Sequence, residues 1–259
     1  MEWPKITVVT PSYNQAGVLE ETLKSVHDQG YPRVEHIVLD GASTDGSVDI
    51  IRRYAPRLAY WVSEPDGGQT QALIRGFARA TGDILCWLNS DDVFEPRTLW
   101  EVGAFFRRHP HARAVYGDAW WIDLQGRVLR AKHEHGWSRF IWLYDHNFIS
   151  QSSTFWRRDL YEEVGGLDPR WDVAMDADLW IRFAEVTRLY HVRRLWSRER
   201  MYPEQKTQRL RAEHDAADAL IRGKYWQHEP PWARRVKRLA ARGMRIGWKL
   251  ATGCYASAR

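Results

Sequence analysis

Three segments of this 259-residue chain place carboxylates among turn-forming residues directly after apolar runs: Asp40-Gly41-Ala42-Ser43, Glu64-Pro65-Asp66-Gly67-Gly68 and Asn89-Ser90-Asp91-Asp92. Adjacent carboxylates such as Asp91 and Asp92 repel unless a cation or a turn absorbs the charge. A hard divalent ion bridging to a diphosphate would do so. An Asx-type turn capping the next helix is the plainer reading of the same spacing. Convergence of Asp40, Asp45 and Asp66 on one sheet edge favours the first. Asp40 could accept an N–H from a base edge, with Gly41 permitting close backbone approach. Asp45 is expected to cap a helix. Asp176 and Asp178 lie two residues apart at the start of an amphipathic segment and so cannot share a face. One can serve as a catalytic base and the other as a cap or structural partner, although two helix-start carboxylates stabilised by the dipole fit as well. No Walker A loop, GxGxxG, HExxH or HxxxH pattern occurs.

The elements that must carry these residues alternate in type. Ile6 to Thr10, Val34 to Leu39, Leu58 to Val62 and Ile84 to Leu88 are strand-like runs. Between them lie helical stripes from Val18 to Val26, Ser47 to Tyr54 and Gln69 to Ala80. Strands and helices on short loops imply an α/β fold, a mostly parallel sheet covered on both faces. Ligands of such sheets sit beyond the carboxyl ends of the strands, where Thr10-Pro11-Ser12-Tyr13 and the three acidic segments fall. Past Asp92 the alternation fades into a helix near Pro96 to Arg108, a strand at Ala114 to Tyr116 and a Trp-rich stretch. Most of the 15 Trp are expected in the core; Trp120, Trp121, Trp137 and Trp171 are those expected to face a cleft.

Taken in order, Thr10-Pro11-Ser12-Tyr13-Asn14, Leu39-Asp40-Gly41-Ala42-Ser43-Thr44-Asp45-Gly46-Ser47, Ser63-Glu64-Pro65-Asp66-Gly67-Gly68-Gln69, Trp87-Leu88-Asn89-Ser90-Asp91-Asp92 and Gly165-Gly166-Leu167-Asp168 resemble a family 2 glycosyltransferase. The resemblance spans roughly residues 4 to 207 and implies a GT-A fold, Rossmann-like, with a nucleotide-diphospho-sugar donor. It implies nucleotide-sugar contacts from Thr10, Pro11, Ser12, Tyr13, Asp40, Asp66 and Asp91. It also implies a Mg²⁺ or Mn²⁺ ion held on the diphosphate by Asp92 directly, with Asp91. Alignment on Asp178-Leu179-Trp180 puts Asp176 at the family's catalytic base and Met175 where the acidic partner of that base often stands. Tyr202, in Arg200-Met201-Tyr202-Pro203-Glu204-Gln205-Lys206-Thr207, replaces a His that assists the metal or diphosphate in such enzymes. Those roles describe an inverting transfer: one base deprotonates an acceptor hydroxyl as it attacks the anomeric carbon.

Eight of the 38 Lys and Arg lie in residues 230–259, which hold no Asp or Glu, leaving 30 basic against 33 acidic side chains in residues 1–229. A formal charge of +5 is therefore a mildly acidic body with a basic tail, which argues against nucleic acid as partner. The division expected is a catalytic domain over 1–229 and an amphipathic tail over 230–259, starting at Pro230-Pro231. Val236, Leu239, Gly243, Ile246 and Leu250 recur at helical spacing between Arg and Lys, with Trp232 and Trp248 as interfacial anchors. Such a helix suits an anionic membrane surface, or packs on the catalytic domain with its basic face solvated. A glycan or lipid-linked acceptor, in cell-surface polysaccharide or glycolipid assembly, accords with the first. Two Cys without metal spacing, and no signal or spanning segment, place the expected chain in the cytoplasm, peripheral on the inner face of the membrane. The competing functions are a catalytically impaired sugar-nucleotide-binding module and a nucleotidyltransferase. The latter wants a basic triphosphate loop that residues 10–17 lack.

Overall fold

In the computed structural model, which describes residues 2–254, the first four strand-like runs form adjacent parallel strands. These are β1 (Ile6–Ser12), β2 (Val34–Asp40), β3 (Tyr60–Ser63) and β4 (Ile84–Trp87), in the order β3-β2-β1-β4. The crossovers are α1 (Ala16–His27), α2 (Ser47–Tyr54) and α3 (Gln69–Phe77). Side-chain alternation along β2 explains why both faces are covered. Val38 packs with Leu19, Leu23, Ile50 and Ile51 of α1 and α2. Its neighbours Ile37 and Leu39 belong to the larger cluster that includes Leu73 and Phe77 of α3. Helix α3 stops at Phe77 and not at Ala80 because its end tightens into a 3₁₀ turn, Arg79 N–H bonding to Gly76 O and Ala80 N–H to Phe77 O.

Beyond β4 the sheet continues through β8 (Thr154–Arg157), β6 (Ala114–Ile122), β9 (Leu189–Arg200) and β5 (Val93–Phe94), with β7 (Val128–Lys132) on β6. Here β4·β8, β6·β8, β6·β7 and β5·β9 are antiparallel and β6·β9 is parallel. The expected strand at Ala114 to Tyr116 is thus the first third of β6, which runs on through Trp120 and Trp121. The remaining helices are α4 (Thr98–Arg108), α5 (Arg139–Tyr144), α6 (Arg158–Glu163), α7 (Met175–Val186), α8 (Lys206–Arg209), α9 (Arg211–Gly223) and α10 (Pro231–Ala251). Trp87, Trp142, Trp156, Trp180 and Trp196 are fully buried, whereas Trp120, Trp121, Trp137 and Trp171 are half-buried. Trp87 stacks on Trp180 of α7 with ring centroids 5.7 Å apart, which seats α7 against the end of β4.

The tail is a helix with its apolar stripe outward, while part of its basic side packs on the body and is not left to solvent. Pro231 occupies its first turn, where the missing N–H costs nothing. Lys237, Arg245 and Lys249 face the body, pairing with Glu229, Asp145 and Glu134. Arg238 lies over the Trp226 ring. The basic face is therefore largely engaged and not solvated. Trp248 stacks on His135 at 4.9 Å, so it is a packing residue and not an interfacial anchor. No helix among the described residues is long and apolar enough to cross a membrane.

Candidate active site

The pairing of β1 with β4 ends at Val9 and Trp87, while β1 stays paired to β2 through Ser12 and Asp40. Pro11, which has no N–H to give, sits in the part of β1 that has lost its β4 neighbour. A crevice therefore opens at the carboxyl ends of β1 and β4, where the strand order reverses. On one side of it stand Ser12 and Tyr13; on the other stands Asn89 to Asp92.

The β1–β2–β3 side groups an exposed aromatic ring with polar atoms that lack partners. Tyr13 is 64% exposed. A Cβ added at Gly41 would lie 3.2 Å from Asp66 Oδ2 and 3.3 Å from Tyr13 Cδ2, so these three residues meet. An exposed aromatic face can stack on a base, and a carboxylate can accept its N–H. Asp66 Oδ1 accepts from Gly68 N–H (2.8 Å), and Oδ2 has no donor among the described residues. Ser12 Oγ is buried without a hydrogen-bond partner, a polar atom that a ligand could satisfy. Asp40 is more constrained: its carboxylate accepts from Ser43 N–H (2.9 Å), Ser43 Oγ (2.6 Å) and Ser63 Oγ (2.7 Å). These bonds pin the β2–α2 loop to β3, so Asp66 is the freer acceptor. Thr10 lies away from this group, fully buried, with its hydroxyl 3.0 Å from His36 Nε2. Asp45 is an anchor for two helix starts. Its oxygens accept from Ala16 N–H (2.8 Å) and Ser47 N–H (3.0 Å), the first residues of α1 and α2, with Gly46 at the cap position itself.

The β4 side concentrates negative charge. Asp92 N–H closes a turn on Asn89 O (3.0 Å), which brings the two carboxylates to the crevice together. Asp91 Oδ2 accepts from the Tyr202 hydroxyl (2.8 Å), which in turn accepts from Gln15 Nε2 (3.1 Å). Asp92 Oδ1 accepts from Arg200 N–H (3.0 Å), while Oδ2 has only a long contact with Asn89 Nδ2 (3.4 Å). Both aspartates are buried. Burial raises the pKa of each, and for Asp92 the nearby charges of Asp91 and Glu199 raise it further. The charge of the buried Arg200 guanidinium opposes the rise at Asp91, but the group hydrogen-bonds neither the Asp91 nor the Asp92 carboxylate. It donates to Asp91 O (2.8 Å), Leu124 O (2.9 Å) and Glu21 Oε2 (2.6 Å). A corner with crowded carboxylates and an under-coordinated Asp92 oxygen fits a divalent cation. No group of three or more His, Cys, Asp or Glu is placed to enclose a metal among the described residues. An ion here would thus take its remaining oxygens from ligand and water, as Mg²⁺ characteristically does. Lys206 borders the same corner, its Nζ on Asp172 O (2.6 Å) and near Gln69 Oε1 (3.4 Å).

Asp176 and Asp178 separate as their spacing requires. Asp178 is buried and paired to Arg182 (2.7 Å) and Lys224 (3.3 Å), a structural role. Asp176 is half-buried, one turn before Trp180, whose stacking on Trp87 brings this turn toward the β4 end. Its Oδ2 accepts from Asn147 Nδ2 (2.9 Å). Burial raises its pKa, with the His214 charge and the Asn147 bond opposing the rise. Met175 packs into the apolar core, so the acidic partner is absent by packing as well as by sequence. Asn147, His214 and Gln15 escape sequence reasoning because none sits in a strand-end motif; the Gln15 to Tyr202 bond spans 187 positions.

Residues 7–165 match the profile described as Glycosyl transferase family 2. An uncharacterized glycosyltransferase of Mycobacterium tuberculosis is 32% identical over 186 residues, covering 71% of this chain and 70% of its own. A PGL/p-HBAD biosynthesis glycosyltransferase of Mycobacterium bovis is 33% identical over 200 residues, covering 74% and 76%. Among solved structures, residues 1–349 of S. aureus TarS in complex with UDP-GlcNAc superpose with a TM-score of 0.66 at 18% identity, covering 93% of this chain and 80% of that one. The mannosyltransferase PcManGT of Pyrobaculum calidifontis, in complex with GDP-Man and Mn²⁺, gives 0.62 at 23% identity, covering 99% and 81%. At such identities the likeness is one of fold, the GT-A arrangement.

Proposed function

The chain belongs to glycosyl transferase family 2, and from that membership we propose an inverting transfer from a UDP-linked sugar to a hydroxyl of a glycan or lipid-linked acceptor, with Asp176 as the base. The observation that carries this reading is the contrast between Asp176 and Asp178. Asp178 is neutralised by Arg182 and Lys224, while Asp176 has no salt-bridge partner among the described residues: its Oδ2 accepts from Asn147, and burial raises its pKa against the opposing His214 charge. A carboxylate with raised proton affinity is a better general base than a solvated one.

The other residues divide the donor between them. Tyr13 offers its ring to the base, and Asp66 Oδ2 accepts an N–H such as that of uracil. Ser12 Oγ and Asp91 meet the ribose and diphosphate side. Asp92, with Asp91, would hold a Mg²⁺ or Mn²⁺ ion, which when bound supplies positive charge for the leaving diphosphate. Lys206 stands beside the same corner, ion-paired with Asp172 (3.0 Å). The TarS complex with UDP-GlcNAc and the PcManGT complex with GDP-Man and Mn²⁺ support a nucleotide-diphospho-sugar and a divalent ion as ligands. The M. bovis relative is named for PGL/p-HBAD biosynthesis, which supports an acceptor carried on a larger conjugate.

A thermal-shift panel of UDP- and GDP-sugars, with and without Mn²⁺, tests the donor. A bound donor at a hundred times its Kd contributes about 2.7 kcal/mol, or roughly 5–10 °C in a chain of this size. Stabilisation by a UDP-sugar that grows with Mn²⁺ is expected. Stabilisation by GDP-sugars alone would overturn the UDP assignment.

A further inference from the structure

Helix α10 presents an apolar stripe outward. At 100° per residue, Trp232, Val236, Leu239, Ile246 and Leu250 fall on one side, opposite the buried Ala241, and they are 38–71% exposed. Arg235 and Arg242 flank the stripe, both exposed and without an ion-pair partner among the described residues. The body-facing side is held by Lys237 on Glu229 (2.8 Å), Lys249 on Glu134 (2.8 Å) and Arg245 on Asp145, which keeps the stripe outward.

We propose that this stripe seats the protein on an anionic bilayer, with α10 lying in the plane of the headgroups. A contiguous exposed apolar strip of this length marks an interaction surface and not scattered surface hydrophobes. The chemistry of its rim selects the occupant. Residues 230–259 contain no Asp or Glu, so nothing on the helix can answer Arg235 or Arg242. A second copy packed stripe to stripe in antiparallel fashion would bring Arg242, at mid-helix, close to its own counterpart. Lipid phosphates supply the missing charge, and the apolar side chains enter the headgroup–acyl boundary.

The seat also bears on the proposed base. Tyr144 and Asp145, which α10 grips through Lys237 and Arg245, are followed by Asn147, the donor to Asp176. Helix α10 thus ties the bilayer-facing stripe to the segment that holds Asp176, through the side opposite the stripe. The catalytic meaning of that tie rests on the role proposed for Asp176; the docking surface does not.

Flotation of the full chain with phosphatidylglycerol–phosphatidylcholine vesicles, and with pure phosphatidylcholine, tests the proposal. Binding to the anionic vesicles is expected, weakening with salt. A Leu239→Glu/Ile246→Glu variant should lose at least tenfold in partition, since a buried Leu or Ile contributes about that factor by itself. Arg235→Gln/Arg242→Gln should lose about fivefold per Arg on anionic vesicles and little on neutral ones. All four side chains are exposed, so thermal midpoints and donor-induced shifts should match wild type. Absence of wild-type binding, or equal binding by the Leu239→Glu/Ile246→Glu variant, would overturn the proposal. So would a wild-type dimer in light scattering that this variant converts to monomer, which would assign the stripe to a second copy. Vesicle binding needs no donor, so retained binding with no transferase activity would fail the catalytic reading alone.

Discussion

Replacing Asp176 with Asn isolates the proposed base. Asn is isosteric, and its Oδ1 can still accept from Asn147 Nδ2, which donates to Asp176 at 2.9 Å in the wild type. Neither the α7 start nor its packing through Trp180 should change. General-base assistance contributes typically 10²–10⁴ in rate, equivalent to about 3–5 kcal/mol of barrier. The expected result is a loss of that size in kcat, with donor-induced thermal stabilisation unchanged, because Tyr13, Asp66, Asp91 and Asp92 are untouched. The pH profile supplies a second reading. The base must be ionised to act, and burial raises its pKa, so the wild-type rate should climb with pH along a limb above the ordinary carboxylate range. Asn147→Ala removes a bond to the charged form worth about 1.5–3 kcal/mol. The limb then moves to higher pH, and below it the rate falls roughly tenfold to a hundredfold, while the plateau holds. Nucleoside diphosphate release across pH, with and without acceptor, is the assay. A wild-type acid limb persisting in Asp176→Asn, or a rate within tenfold of wild type, would refute the assignment.

Three further outcomes follow from the same geometry. Asp92→Asn should abolish the Mn²⁺-dependent part of donor stabilisation in a thermal-shift assay, and should not lower the metal-free midpoint, because it relieves crowding with Asp91 and Glu199; a lower midpoint would contradict the crowding. Tyr202→Phe strips a 2.8 Å donor from buried Asp91 and leaves Gln15 Nε2 without its acceptor, costing about 1.5–3 kcal/mol or roughly 3–12 °C in midpoint. Burial lowers the His36 pKa to about 3 from 6.5, so the unfolded chain takes up a proton that the folded chain refuses. Stability from this group is complete above 6.5 and drains as pH falls toward 3, by about 1.4 kcal/mol per unit; in urea titrations His36→Gln should show a shallower slope over that range, and an unchanged slope would exclude His36 as its source.

The first half of the fold was legible because strands buried on both faces leave continuous apolar runs, as in Ile84-Leu85-Cys86-Trp87. Helix boundaries followed from the stripes, and α2 matches its expected limits. The second half hides its longest strand. In β9, Leu189 to Arg200, five charged residues and a His interrupt the alternation; the strand pairs with β6 along its whole length with register shifts, while its other edge meets the short β5 at Ser197 and Arg198 alone. Carboxylates at strand ends were visible in the sequence, since a strand end is a local property. The partners that set their states were not. Asp40 shows the limit well: Gly41 beside it suggests ligand approach, yet Ser43 and Ser63 occupy the carboxylate. Tyr202 shows the converse. As a replacement for a metal-assisting His it suggests a weakened corner, whereas its hydroxyl is the group that satisfies Asp91.

The sidedness of α10 shows why periodicity alone could not orient the tail. A spacing of three and four residues defines two faces, and the usual inference turns the apolar one inward. That inference assumes the body offers apolar surface. Here the body carries 33 acidic against 30 basic side chains over residues 1–229, and it presents Glu134, Asp145 and Glu229 where the helix lands. These pairs are not uniformly exposed. Lys249 and Glu134 are 12% and 4% exposed, whereas Lys237 and Glu229 are 40% and 21%. Partly buried pairs are screened less by salt than open ones, so added salt should weaken the Lys237 end of the helix before the Lys249 end. With the basic face so engaged, the apolar face is the one left without a partner. Among the described residues of the tail, three basic side chains are ion-paired within the molecule and Arg234 and Arg238 lie over the Trp226 ring, while Arg235 and Arg242 stand at the rim of the stripe to meet an outside surface.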